Sequence, residues 1–248
     1  QKTIKDAGYK ILWIDDYGHA EHYYADLVLN QNITADETLY THREPYTRLL
    51  LGTRYALLRR EFKKWQDWQR EIPDTAQKVL VTMGGGDPDN VTMKVVQALK
   101  QINIKALKAK IIVGPVNPNL LVLKEECGNN RNLEIVTNAT NMPEFIAWAD
   151  IAVSAGGSTC WEMAFLGLPA IFIVLADNQR ETMRRMVEKG YITCFFEAKA
   201  INSSEMEYKI SSLIKNAKLR NTLSKWGRIL VSGNGSSLIL NKLIGQPQ

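Results

Sequence analysis

What this 248-residue chain has little of narrows its class before any motif is read. It has three cysteines, Cys127, Cys160 and Cys194, with no Cys-x-x-Cys pair. An odd count at those spacings argues against a disulfide frame or a zinc site and predicts reduced thiols in the cytoplasm. No metal and no cofactor is implied. Long apolar runs are missing too: a run such as Pro169 to Ala176 is far short of the roughly 20 residues that a membrane helix needs. No charged-then-apolar leader is read, so a soluble protein without a membrane span is expected. Internal repeats and low-complexity tracts are absent. Charge of one sign is not concentrated either. The 31 Lys and Arg against 26 Asp and Glu leave a net charge of +5, dispersed along the chain, and no basic block marks a nucleic-acid partner.

What is there is a globular composition, 45% hydrophobic, long enough for one large domain or two moderate ones. From Lys78 onward, strand and helix periods alternate. "KVLVTM" (78–83), "AKIIVG" (109–114), "LEIVT" (133–137), "DIAVSA" (150–155) and "PAIFIVL" (169–175) are short apolar runs rich in β-branched residues. Val91, Val95, Val96, Leu99 and Ile102 fall on one helical face, and further helical stretches lie near 117–127, 141–149 and 157–167. Strands separated by helices predict βαβ units and a parallel sheet covered on both faces, which is an α/β, Rossmann-like domain. The segment 203–244 reads as helices, interrupted at "SGNGSS" (232–237). Ahead of Lys78, "KILWIDD" (10–16) and "ADLVLNQ" (25–31) read as strands. They are followed by a bridge, "LLLGTRYALLRREFKKW", whose second half reads as a crossing helix. The boundary is expected near residue 74, dividing a partial N-terminal Rossmann-like domain (1–74) from a complete C-terminal one (75–248).

Chemistry is expected at two strand-to-helix junctions. "GGGDPDN" holds Gly84, Gly85, Gly86 and Asp87; successive glycines let backbone amides approach a ligand, and the next helix N-terminus suits a phosphate. It lacks the Lys-Ser/Thr of a P-loop and the third glycine of the dinucleotide fingerprint. A tight turn with Asp87 or Asp89 capping the helix is an equal reading. "AGGST", with Gly157, Ser158 and Thr159, repeats the device. Here the hydroxyls can cap the helix or donate to phosphate oxygens. Two such loops at one sheet edge suit a diphosphate, because ligands of open α/β sheets bind outside the carboxyl edge. Glu162 is the single charge in "SAGGSTCWEMAFLGLPA". Either it complements the helix dipole, or it accepts hydrogen bonds from ribose hydroxyls.

"NMPEFIAWADIAVSAGGSTCWEMAFLGLPAIFIVLADNQ" resembles the nucleotide-binding half of GT-B enzymes, especially the peptidoglycan N-acetylglucosaminyltransferase group. By that resemblance, backbone at Asn141 and Met142 holds uracil, the Gly-Ser-Thr loop meets the phosphates, Glu162 binds ribose, and Asn178 and Gln179 line the sugar side. "IDDYGHAEHYYADLVLNQN", "LLLGTRYALLRREF" and "VLVTMGGGDPDN" in that order resemble the UDP-sugar hydrolases of pseudaminic acid biosynthesis. The resemblance implies inverting hydrolysis of a UDP-linked diacetamido-trideoxy sugar. Members of that family carry an early Gly-x-Gly-His loop with the catalytic base, and no Gly-x-Gly-His occurs in this sequence.

A diphosphate leaving group needs charge stabilisation more than a proton, so the remaining requirement for hydrolysis is a base for water. The candidates are Asp15, Asp16 and His19. Asp15 and Asp16 are expected to face opposite sides of their strand, and either can instead cap the next segment. A glycosyltransferase of the same architecture, in which a hydroxyl acceptor replaces water, is the alternative, and a catalytically inert UDP-binding fragment is the third.

Overall fold

The computed structural model describes residues 1–104, 106–128 and 130–244. They form two compact units, one of Gln1–Lys63 with the segment from Leu230 onward, the other of Lys64–Ile229.

The first unit opens with α1 (Lys2–Asp6) and contains a parallel three-stranded sheet, β1 (Leu12–Ile14), β2 (Leu27–Asn30) and β3 (Arg48–Leu51), in that spatial order. The central strand is buried along its length, and its side chains alternate between two cores as a period of two requires. Leu27 and Leu29 join Leu50, Tyr55 and Ile239 on one face. Val28 joins Tyr23, Ala25 and Tyr40 on the other. Ile239 belongs to the C-terminal helix, Gly235–Ile244. That helix therefore completes the first unit, not the second as its place in the chain suggested. It approaches so closely that a Cβ on Gly235 would lie 2.3 Å from the Ala56 carbonyl oxygen. The bridge also differs from expectation. It begins as β3 and ends in a 3-10 helix, Arg60–Trp65, of which Phe62 is buried. One apolar anchor does not supply the stripe at three- and four-residue spacing that holds an α-helix to a core.

The second unit is a six-stranded, wholly parallel sheet: β4 (Lys78–Thr82), β5 (Lys108–Val113), β6 (Leu133–Thr137), β7 (Ile151–Ala155), β8 (Ala170–Val174) and β9 (Phe195–Glu197). Between and after the strands come α2 (Val91–Gln101), α3 (Leu120–Cys127), α4 (Met142–Trp148), α5 (Thr159–Phe165), α6 (Asp177–Glu188), α7 (Ser203–Lys215) and α8 (Ala217–Leu230). The spatial order is β6-β5-β4-β7-β8-β9. Counted within the unit this is 3-2-1-4-5-6, the doubly wound order, with its reversal between β4 and β7. β7 and β8 are buried at every position, because helices cover both faces.

The unit boundary at Lys63/Lys64 lies earlier than expected because the polar stretch before Lys78 is tied to the second unit by buried guanidinium groups. Arg70 donates to the carbonyls of Ile146 at 2.7 Å, Leu166 at 3.1 Å and Ala149. Burial pulls its pKa down to about 10, against the attraction of Asp150. Arg220, fully buried, donates to Leu213 at 2.6 Å and to Pro73 and Asp74. Carbonyls in several elements thus satisfy groups that would be costly to bury unpaired.

Candidate functional site

In the β4–β7 ladder Thr82 is paired with Ser154, so the turns that follow the two strands leave the same carboxyl rim as neighbours, at the reversal point of the sheet. The structure thereby brings Gly84, Gly85 and Gly86 beside Gly157, Ser158 and Thr159. Rim and switch point are where ligands of doubly wound sheets bind.

The first turn bends at Gly84, whose φ of +82° is strained for any residue with a side chain. It then enters α2 through Asp87. This carboxylate is 1% exposed and accepts from the amides of Val91 at 2.8 Å and Thr92 at 2.7 Å. The Asn119 side chain donates to the Asp87 carbonyl at 2.8 Å. Of the two roles open for Asp87, helix capping is the one the geometry takes. An anion already occupies the N-terminus of α2, so a substrate-binding role for the Asp87 side chain is corrected: a second negative charge there would be repelled.

The second turn is built differently. Gly156 donates to Ile173 at 3.0 Å, and a Cβ on it would meet the Met183 side chain at 3.2 Å. A Cβ on Gly157 would meet nothing within 4 Å. Ser158, the N-cap of α5, makes no capping bond with its side chain, and the helix closes through Cys160 to the Gly157 carbonyl and Trp161 to that of Ser158. Glu162 follows in the first turn, 8% exposed among the buried Cys160, Trp161 and Met163. Side chains of a helix tilt toward its N-terminus, which for α5 is the end at the rim.

The other expected contacts flank this place. Asn141 and the buried Met142 begin α4, which connects β6 to β7, starts at the carboxyl rim and packs on β4. Asn178 and Gln179 lie in the first turn of α6, after β8. The Gln179 side-chain oxygen accepts from Leu175 at 2.9 Å, which leaves its amino group as the donor it can present. Beside them is a cavity of about 190 Å³ lined by Asp89, Leu175, Asp177, Arg180, Glu197 and Lys199. Arg180 is paired there with Asp177 at 3.0 Å and Glu197 at 2.8 Å.

In the first unit, Asp15 is buried while Asp16 and His19 are exposed. Asp15 accepts from Tyr23 Oη at 2.5 Å and from the amides of Asp16 at 2.8 Å and Tyr17 at 3.2 Å. Burial pushes its carboxyl up, but the Tyr23 and backbone hydrogen bonds outweigh it and hold it below the usual carboxylate range. A carboxylate so engaged is a weak proton acceptor, which argues against Asp15 as a base. Asp16 accepts from Asn32 at 2.8 Å. The imidazole of His19 has Nδ1 3.5 Å from Asp15 and is 72% exposed. Sequence reasoning missed Tyr23, whose hydroxyl burial and Asp15 together push up to about 12. Its signal in "EHYYADL" was a polar aromatic at a position that has to be buried.

A doubly wound sheet with paired glycine turns at its switch point, and a second parallel sheet in the other unit, define a GT-B-type fold. Residues 78–226 match the model of the glycosyltransferase family 28 C-terminal domain, and the chain belongs to that family. It is similar to the spore coat polysaccharide biosynthesis protein SpsG of Bacillus subtilis, 24% identical over 235 residues, covering 94% of this chain and 68% of SpsG. It is also similar to the UDP-N-acetylglucosamine--N-acetylmuramyl-(pentapeptide) pyrophosphoryl-undecaprenol N-acetylglucosamine transferase 2 of Bacillus thuringiensis, 25% identical over 177 residues. That match covers 68% of this chain and 48% of the transferase, so the chain spans about half the length of that relative. Among solved structures, MurG of Acinetobacter baumannii shares the fold at a TM-score of 0.64 and 16% identity, over 89% of this chain and 66% of that one. Among the described residues no helix is long and apolar enough to cross a membrane.

Proposed function

We propose that the second unit binds a UDP-sugar at the carboxyl rim, and that the chain serves transfer of the sugar to a hydroxyl acceptor in polysaccharide synthesis. The single observation that carries this reading is the adjacency of the two glycine turns at the switch point. In it the diphosphate lies over Gly157, Ser158 and Thr159, Glu162 accepts from the ribose hydroxyls, and backbone at Asn141 and Met142 meets uracil. Asn178 and Gln179 face the sugar. As the bond to the anomeric carbon breaks, negative charge grows on the departing UDP. Fixed backbone amides and the N-terminal end of α5 stabilise that charge without a proton transfer.

The Bacillus thuringiensis relative is an N-acetylglucosamine transferase, which favours transfer over hydrolysis. Resemblance of the first 100 residues to the pseudaminic acid UDP-sugar hydrolases supports the second reading, in which water replaces the acceptor. Against it stands the engagement of Asp15, which leaves Asp16 and His19 as the base candidates. Measuring UDP release from a panel of UDP-sugars with and without hydroxyl acceptors tests the two. Transfer predicts release that depends on acceptor; release at the same rate in water alone would establish hydrolysis and overturn transfer.

A further inference from the structure

Gly114 follows β5 directly, and the register of β4 with β5, Thr82 opposite Ile112, continues to set it beside Gly84. A Cβ built on Gly114 would lie 2.4 Å from the Gly84 carbonyl oxygen, 2.3 Å from that of Gly85 and 2.5 Å from the Gly85 carbonyl carbon. These are backbone atoms that cannot swing aside as the end of a side chain can. The Gly85 carbonyl is further held by the amide of Val116 at 3.3 Å. Both carbonyls of the first glycine turn therefore fold over a position that must have no side chain. The first glycine turn is thereby held against β5, at the rim that it shares with the turn after β7.

We propose that Gly114 is a positioning residue: its missing side chain lets the first glycine turn fold back on β5, the placement in which the Gly85 and Gly86 amides meet the diphosphate. The proposal rests on the reading of a UDP-sugar at this rim. It explains how the first turn takes part at all, since the amides of Val91 and Thr92 are already held by Asp87. A methyl at position 114 displaces the turn and misdirects those amides, leaving the uracil and ribose contacts unchanged.

Calorimetry of UDP and of uridine on the wild type and on Gly114→Ala tests this. UDP is expected to bind at least tenfold more weakly to the variant while uridine changes less than twofold. Equal losses for both, or no loss for either, would overturn it. A second measurement needs no variant. With ¹⁵N-glycine label in the wild type, UDP and inorganic pyrophosphate are expected to shift the Gly85 and Gly86 amides, and uridine is not. If Gly157 moves and Gly85 and Gly86 do not, the inference about Gly114 falls while the rim site stands. If no glycine moves with UDP, both fall.

Discussion

The two glycine turns of the second unit look alike in sequence and differ in charge. The turn after β4 carries its own anion: Asp87, buried, takes the first amides of α2. The turn after β7 has Ser158 at its helix cap, which makes no capping bond with its side chain, and its one carboxylate, Glu162, lies further on, in the first turn of α5. The contrast teaches that a glycine-rich junction is an anion site only if the chain does not fill it itself. In the proposed binding mode the labour is divided, with nucleotide charge over the second turn and the first contributing the amides ahead of its cap.

Exchanging the charges is the strongest way to break that division. Ser158→Asp is expected to weaken UDP binding on the order of a hundredfold or more, since a like charge at about 5 Å costs roughly 3 kcal/mol at an effective dielectric of about 20. Asp87→Asn, measured in the same titration, is expected to leave UDP affinity within about threefold while lowering the stability of the second unit by about 1 kcal/mol, the usual size of a cap. Tight UDP binding by Ser158→Asp, or a large loss in Asp87→Asn, would mean that the two turns have been assigned the wrong way round.

A smaller effect sharpens the comparison with a second strand-end carboxylate. Asp15 is also consumed by its own chain, through Tyr23. The Asp15 carboxyl is held low, so its contribution to the first unit is present at neutral pH and is lost as pH falls through its folded pKa, below about 4. The Tyr23 hydroxyl is pushed up to about 12, so its contribution is complete below about pH 10 and lost as pH rises toward 12. Hydrogen exchange is expected to show the first unit loosening in that alkaline window. In Tyr23→Phe the alkaline loss should vanish and neutral stability fall by about 1 kcal/mol. The same alkaline loss in the variant would detach it from Tyr23.

The strands after Lys78 were legible because parallel strands covered on both faces read as unbroken apolar runs, and 78–83, 109–114, 133–137, 150–155 and 169–175 all became strands at nearly those bounds. β9, three residues long, offered too short a run to register, and β3 was absorbed into the bridge. The C-terminal helix showed its apolar residues but not its partner, since only folding brings Ile239 to Leu27 and Leu29. At the site, residue types and spacing exposed both glycine turns and Glu162. Whether Asp87 caps or binds turned on where two carboxylate oxygens point, and the importance of Gly114 on the register between β4 and β5. Neither quantity has a one-dimensional signature.

Glu162, the one charge in an apolar segment, is the proposed partner of the ribose. Calorimetry of UDP and 2',3'-dideoxy-UDP on the wild type and on Glu162→Ala tests this most directly. The wild type is expected to prefer UDP by about 1 to 3 kcal/mol, the cost of an unmade hydrogen bond, and Glu162→Ala to bind the two nucleotides equally. A variant that keeps the wild-type preference for UDP would contradict the account.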